Sequence, residues 1–174
     1  MDLPVRDDLE VGNRFPDFEL PDHGGTGRRL SQLLRGFPGA LIFDRGQFCP
    51  KGRRQFTNYV KYLQPELAVN YCHLITVSVD DQPTTASYRE EMGAEWAFLS
   101  DADRELLYEL EMVDTTDPEH GDIYVPYTFI LERDRTIHKI YNGWWYLGRP
   151  TVEEIRLDWR SLMKERDNWV YEEE

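Results

Sequence analysis

Cys49 is the residue on which chemistry could be built. A thiol reacts as its thiolate, and an unperturbed cysteine titrates at about 8.5. The surroundings of Cys49 in "FDRGQFCPKGRRQF" (43–56) favour negative charge on sulfur. Pro50 follows it, and proline is pre-organised for the first helical position, so Cys49 is expected at or beside a helix N-cap. Unpaired backbone N–H groups and the positive end of the helix dipole stabilise an anion there. Residues 45–54 hold Arg45, Lys51, Arg53 and Arg54 and no acid, a local charge of +4 in a chain of net −13. Helix N-termini ordinarily take acids, so bases that merely decorate an exposed turn there cost stability. A thiolate or an anionic substrate would supply the counter-charge. Arg45 or Arg53 is expected to steady that anion, with backbone N–H groups near Gly52 beside them.

The other thiol, Cys72, opens the segment after the helix. A helix of about 15 residues travels roughly 22 Å, whereas a disulfide needs Cα atoms within about 7 Å. No Cys49–Cys72 bridge is expected, and Cys72 reads as a small buried hydrophobe. His23, His73, His120 and His138 are scattered, with no metal-ligand spacing and no Cys-x-x-Cys. There is no glycine-rich phosphate loop and no internal repeat. Neither a metal nor a cofactor is expected.

The elements that must position Cys49 follow from the apolar pattern. "ALIFDRG" (40–46) and "HLITVSVD" (73–80) read as buried strands. Between them Phe56, Tyr59, Val60 and Leu63 recur at helical spacing from Pro50 to about residue 68, with Pro65 kinking the helix or ending it early. "RFPDFELPD" (14–22) reads as a short edge strand, and Ser31 as the cap of one helical turn. Residues 84–92 form a helix ended by Gly93, "EWAFLSD" is a short extended piece, and Asp103 starts a helix to about Leu110. Residues 112–124 are a polar loop. "PYTFILERDRTIHKIYNG" gives two strands joined by a turn. Thr151 with Glu154 three places on is a capping box for a final amphipathic helix, whose apolar residues are Ile155, Leu157, Trp159 and Leu162. The order predicts an α/β domain with a mixed central sheet flanked by helices.

The 174 residues suit a single domain, with a loose lead-in over 1–10 and an acidic tail over 170–174. No apolar run approaches the roughly 20 residues of a membrane span, and the N-terminus has no secretory pattern. A cytoplasmic protein is the expectation. Net charge −13 disfavours nucleic acid and anionic membranes as partners. It reads as solubility, or as adaptation to a salt-rich host.

In order and spacing, "VGNRFPDFEL", "LSQLLRG", "ALIFDRGQFCP", "LITVSVD" and "VPYTFILERDRTI" resemble the peroxiredoxin-like redoxins. These form the alkyl hydroperoxide reductase/thiol-specific antioxidant group of the thioredoxin superfamily. The likeness spans roughly residues 11–143. It implies a thioredoxin-like fold with an N-terminal β extension and Cys49 at the start of the first core helix. It also implies that Val125-Pro126 is the superfamily's cis-proline, bringing a substrate ledge beside Cys49. Gly52 stands where the Cys-x-x-Cys form has its second cysteine, so a stand-alone dithiol cycle is excluded. In the peroxiredoxin Thr-x-x-Cys pattern the threonine falls at Cys49 and the peroxidatic cysteine at Gly52. The arginine of that pattern falls at Pro126.

What this implies is a single-thiol antioxidant oxidoreductase. Cys49 would reduce a peroxide or a disulfide and be restored by an external thiol. The alternatives are a catalytically silent binding domain, or a redox sensor forming a glutathione adduct on Cys49. For the binding domain, the aromatic run "YNGWWYLGRP" (141–150) could line a ligand pocket or a homodimer face through Trp144, Trp145 and Tyr146.

Overall fold

The computed structural model describes residues 4–145 and 147–165. A five-stranded sheet runs in the order β5 (Ala97–Ser100), β4 (His73–Ser78), β3 (Gly39–Phe43), β8 (Tyr127–Leu131), β9 (Ile137–Asn142). β3, β4 and β5 are parallel, as their helical crossovers require; β8 runs antiparallel to β3, and β9 pairs antiparallel with β8, so that β8 alone opposes the direction of the other four strands. Leu41 faces Ile75 on one side and Phe129 on the other. β3 and β8 are buried throughout, which is why both read as unbroken apolar runs.

Alternation along the strands divides the core between two faces. Ala40, Ile42, Leu74, Phe98 and Ile130 meet Phe56, Tyr59, Tyr88, Ile155 and Trp159. These come from α2 (Pro50–Asn58), a π-helical turn (Tyr59–Leu63), α4 (Gln82–Met92) and α6 (Val152–Lys164). Leu41, Phe43, Ile75, Val77 and Phe129 point the other way, onto Phe15, Leu30, Leu34 and the leucines of α5 (Glu105–Glu109). The π turn precedes α3 (Gln64–Asn70), whose first turn carries Pro65. The proline neither ends nor breaks the helical run. The turn before it widens, which accommodates a residue without an N–H and with a ring against the carbonyl four residues back.

Several boundaries differ from the sequence reading. The strand expected over 14–22 narrows to β1 (Glu19–Pro21), paired with β2 (Gly27–Arg29), because Phe15 turns into the core and is fully buried. Ser31 is not a cap. It lies inside α1 (Leu30–Leu34), and its N–H and hydroxyl both donate to Asp17. α5 begins at Glu105, and the buried Asp101 accepts the N–H groups of Leu106 and Leu107. The polar loop contains a small antiparallel pair, β6 (Val113–Asp114) and β7 (Ile123–Tyr124). Of the lead-in expected to be loose, the described residues are tied down, with Leu9 buried and Arg6 N–H donating to the Leu110 carbonyl. Leu157 is exposed rather than part of the α6 core face. The tail over 170–174 lies outside the described residues.

Candidate active site

Cys49 is the N-cap of α2, with Pro50 at the first helical position. The turn that delivers it from β3 is held at both ends. Cys49 N–H donates to the Gly46 carbonyl at 3.0 Å, and Gln47 N–H donates to Asp80 Oδ2 at 2.8 Å. Gly46 has φ +128°, and a Cβ there would lie 3.0 Å from Asp80 Oδ1 and 3.2 Å from the Phe48 ring. No other residue type fits that corner. Cys49 is 5% exposed, so its sulfur lies just beneath the surface.

The guanidinium that reaches the sulfur belongs to Arg149, a hundred residues away. Arg149 Nη2 lies 3.9 Å from Cys49 Sγ, and Nη1 donates to Gln55 Oε1 at 2.8 Å. The same Nη1 is 3.7 Å from Asp44 Oδ1, which accepts no hydrogen bond. Gln55 is fixed in turn, its Nε2 donating to the Tyr59 hydroxyl, which donates to the Pro150 carbonyl at 2.5 Å. The N-terminal end of α2 and the chain entering α6 are thereby locked around one arginine. Burial lifts the Asp44 carboxyl to about 6, with Arg149 opposing the rise and the nearby Asp80 adding to it.

Asp44 also explains Gly52. A Cβ at 52 would stand 2.3 Å from Asp44 Oδ1 and 3.2 Å from its Cγ. The position that could carry a second thiol is filled by a buried carboxyl from the end of β3.

The two arginines expected at the sulfur are engaged elsewhere. Arg45 is paired with the buried Asp114 at 3.0 Å and with Asp117 at 3.3 Å. It anchors the loop between β6 and β7. That loop returns over the site, where His120 stacks on Phe48 with ring centroids 3.5 Å apart. Hydrogen bonds from the Glu119 N–H and from His120 hold the Asp117 carboxyl down at about 2. Arg53 donates to the Gln47 carbonyl and to Glu91, over the Tyr88 ring, and Glu91 raises its pKa. Both arginines are drawn to carboxylates that folding brings within ion-pair distance.

Val125-Pro126 is trans, since no peptide bond among the described residues is cis. Tyr127 N–H closes a tight turn onto the Val125 carbonyl, and the Pro126 carbonyl accepts Gly143 N–H at 2.9 Å. Pro126 still borders a small cavity with Arg45, Lys51, Gly143, Trp144 and Arg149. In the aromatic run, Trp144 packs against the core, Trp145 is 56% exposed, and Tyr146 lies outside the described residues. No disulfide joins Cys49 to Cys72. Cys72 stands ahead of the first residue of β4, while Cys49 follows the last residue of the parallel β3, so they occupy opposite ends of the sheet.

Sequence reasoning missed Arg149, Gln55 and Asp44. Asp44 had a local signal, a carboxylate ending an otherwise apolar strand run. Arg149 had a weaker one, a lone base between the aromatic run and the capping box.

The architecture is that of a thioredoxin-like domain with a thiol at the head of its first long helix. The family model for the AhpC/TSA family matches residues 11–140. The chain belongs to the AhpC/TSA family. Two Mycobacterium tuberculosis proteins named as peroxiredoxins, from strains CDC 1551 / Oshkosh and ATCC 25618 / H37Rv, are 32% identical to it over 94 residues. That stretch is 54% of this chain and 60% of each relative. Among solved structures, the M. tuberculosis peroxidoxin BcpB superposes with a TM-score of 0.73 at 23% identity, covering 91% of this chain and 99% of that one. A yeast mitochondrial 1-Cys peroxiredoxin superposes with a TM-score of 0.73 at 20% identity, covering 95% and 84%. At these identities the superpositions establish the fold.

Proposed function

We propose that the protein is a single-thiol peroxidase of the AhpC/TSA family. Cys49 is the nucleophile, Arg149 its electrostatic partner, and an external thiol its reductant. The observation that carries the reading is the Arg149 guanidinium 3.9 Å from Cys49 Sγ at the head of α2. The sulfur electron pair attacks one peroxide oxygen, the O–O bond breaks, and the leaving oxygen departs with a proton. Cys49 becomes a sulfenic acid. Arg149 stabilises charge on the sulfur and on the departing oxygen, aided by the N–H groups of the first turn of α2. One external thiol then displaces water to give a mixed disulfide, and a second releases Cys49. An external reductant follows from Gly52, which leaves no room for a neighbouring thiol, and from Cys72 at the far end of the sheet.

The test is peroxide consumption with a sulfenate trap on wild type, Cys49→Ser and Cys72→Ser. Labelling and turnover in wild type and Cys72→Ser, absent from Cys49→Ser, are expected. Turnover that persists without the Cys49 thiol would overturn the assignment. A wild-type protein that neither labels nor turns over would leave the silent binding domain.

A further inference from the structure

The end of the sheet opposite Cys49 carries a cleft of its own, between α3 and α6. Its volume of about 560 Å³ falls in the range of about 300–1,000 Å³ typical of small-molecule sites. Val69 and Tyr71 line it from the α3 side, Cys72 from the entry to β4, and Trp159, Arg160 and Met163 from α6. Its mouth is apolar, with Val69 75% and Tyr71 59% exposed. The Tyr71 ring is held in place, since it stacks on Phe37 with centroids 5.3 Å apart. Deeper in, Trp159 is 2% exposed and its indole N–H has no acceptor. An indole nitrogen can only donate, and buried donors are almost always paired, because an orphan forfeits the hydrogen bond it made with water. The two cations of the cleft differ. Arg156 is fully engaged: its Nε and Nη2 donate to the two carboxylate oxygens of Glu66, and its Nη1 donates to Glu153 at 2.7 Å. Arg160, one turn further along α6, forms no ion pair among the described residues. The cleft thus offers apolar walls, one buried donor and one unneutralised cation, in a chain of net −13.

We propose that this cleft is a binding site for an aryl carboxylate. The carboxylate pairs with Arg160, one of its oxygens accepts the Trp159 N–H, and the ring lies against Val69, Tyr71 and Met163. A planar carboxylate matches the planar donor fork of a guanidinium. A tyrosine face and a thioether sulfur both favour an aromatic body over a polar one. Inorganic phosphate would leave the apolar walls bare, and a neutral hydrocarbon would leave both Arg160 and the indole N–H unmet. Cys49 and Cys72 lie at opposite ends of adjacent strands, so this site is separate from the thiol site. Binding here is independent of the peroxidase reading.

Calorimetry of 2-naphthoate and of its neutral amide, 2-naphthamide, tests this on the wild-type protein. The acid is expected to bind about tenfold tighter than the amide. Arg160→Gln should bring the acid down to the affinity of the amide. Lys51→Gln with Arg54→Gln, which removes two cations from α2, should change neither. Nuclear magnetic resonance follows the indole N–H of Trp159, assigned by its loss in Trp159→Phe, and this resonance should move as the acid binds. Equal affinity for acid and amide, or acid binding that survives Arg160→Gln, would overturn the assignment. So would affinity that falls with the Lys51 and Arg54 changes, or a Trp159 N–H resonance that stays fixed while the acid binds. Neither heat nor shift with either compound would remove the site altogether.

Discussion

A Cβ on Gly52 would overlap Asp44 Oδ1 at 2.3 Å, and this contact makes the pair testable as a unit. Gly52→Ala is expected to cost about 1–3 kcal/mol by overpacking, despite the better helix propensity of alanine. In an Asp44→Ala background the loss should shrink or reverse, as urea unfolding of the double-mutant cycle would show. Asp44 also gives stability a pH dependence of known sign. Its folded pKa of about 6 lies above the unfolded value of about 3.9. Its contribution is therefore fully present below the unfolded value and lost as pH rises through about 6. The loss is of order 3 kcal/mol for a shift of about two units. Asp44→Asn should flatten the fall in stability between about pH 4 and about pH 7, without erasing it, because Asp80 and Asp101 are raised by burial too. An unchanged slope would remove Asp44 from the account. At the sulfur, Arg149→Met is expected to slow oxidation of Cys49 by peroxide about 100-fold, the scale of losing one preorganised charge partner. Stopped-flow kinetics would measure it.

Among the elements, α6 holds Arg149 in place although the arginine precedes it. The Thr151 side chain accepts Glu154 N–H, and Glu154 accepts Thr151 N–H at 2.7 Å. The Pro150 carbonyl just before this cap is the one that takes the Tyr59 hydroxyl. Thr151→Ala should cost about 1 kcal/mol of stability. It should also slow peroxide oxidation of Cys49, since the guanidinium depends on the same turn. A variant that loses stability but oxidises at the wild-type rate would separate the cap from the site. The cap was legible because its residue types and spacing are local. The π turn was not, since nothing in "YVKYL" distinguishes a widened turn from an ordinary one.

For the whole molecule, the parallel pairing of β3 with β4 decides which thiol chemistry is open. Cys49 and Cys72 end up at opposite ends of adjacent strands. Peroxide treatment without added thiol should leave a protein that has gained oxygen at Cys49, seen by intact mass. Loss of two hydrogens, the mark of a Cys49–Cys72 disulfide, would contradict the architecture.

The residues alone determined the central sheet, the helix headed by Cys49 and the α6 capping box, and they singled out Cys49 as the thiol proposed to react. Each rests on apolar periodicity or on neighbours within a few positions. The partner of the thiol was decided only by folding. Arg45 and Arg53 stand close to Cys49 in the chain, yet Asp114, Asp117 and Glu91 draw them away, and Arg149 arrives from a hundred residues off. The reason for Gly52 was likewise invisible, because the carboxyl that excludes a side chain there comes from the end of β3 and meets it across the core. An ion pair is chosen by distance in space among many candidate charges, and sequence adjacency fixes that distance for neighbours on one element only.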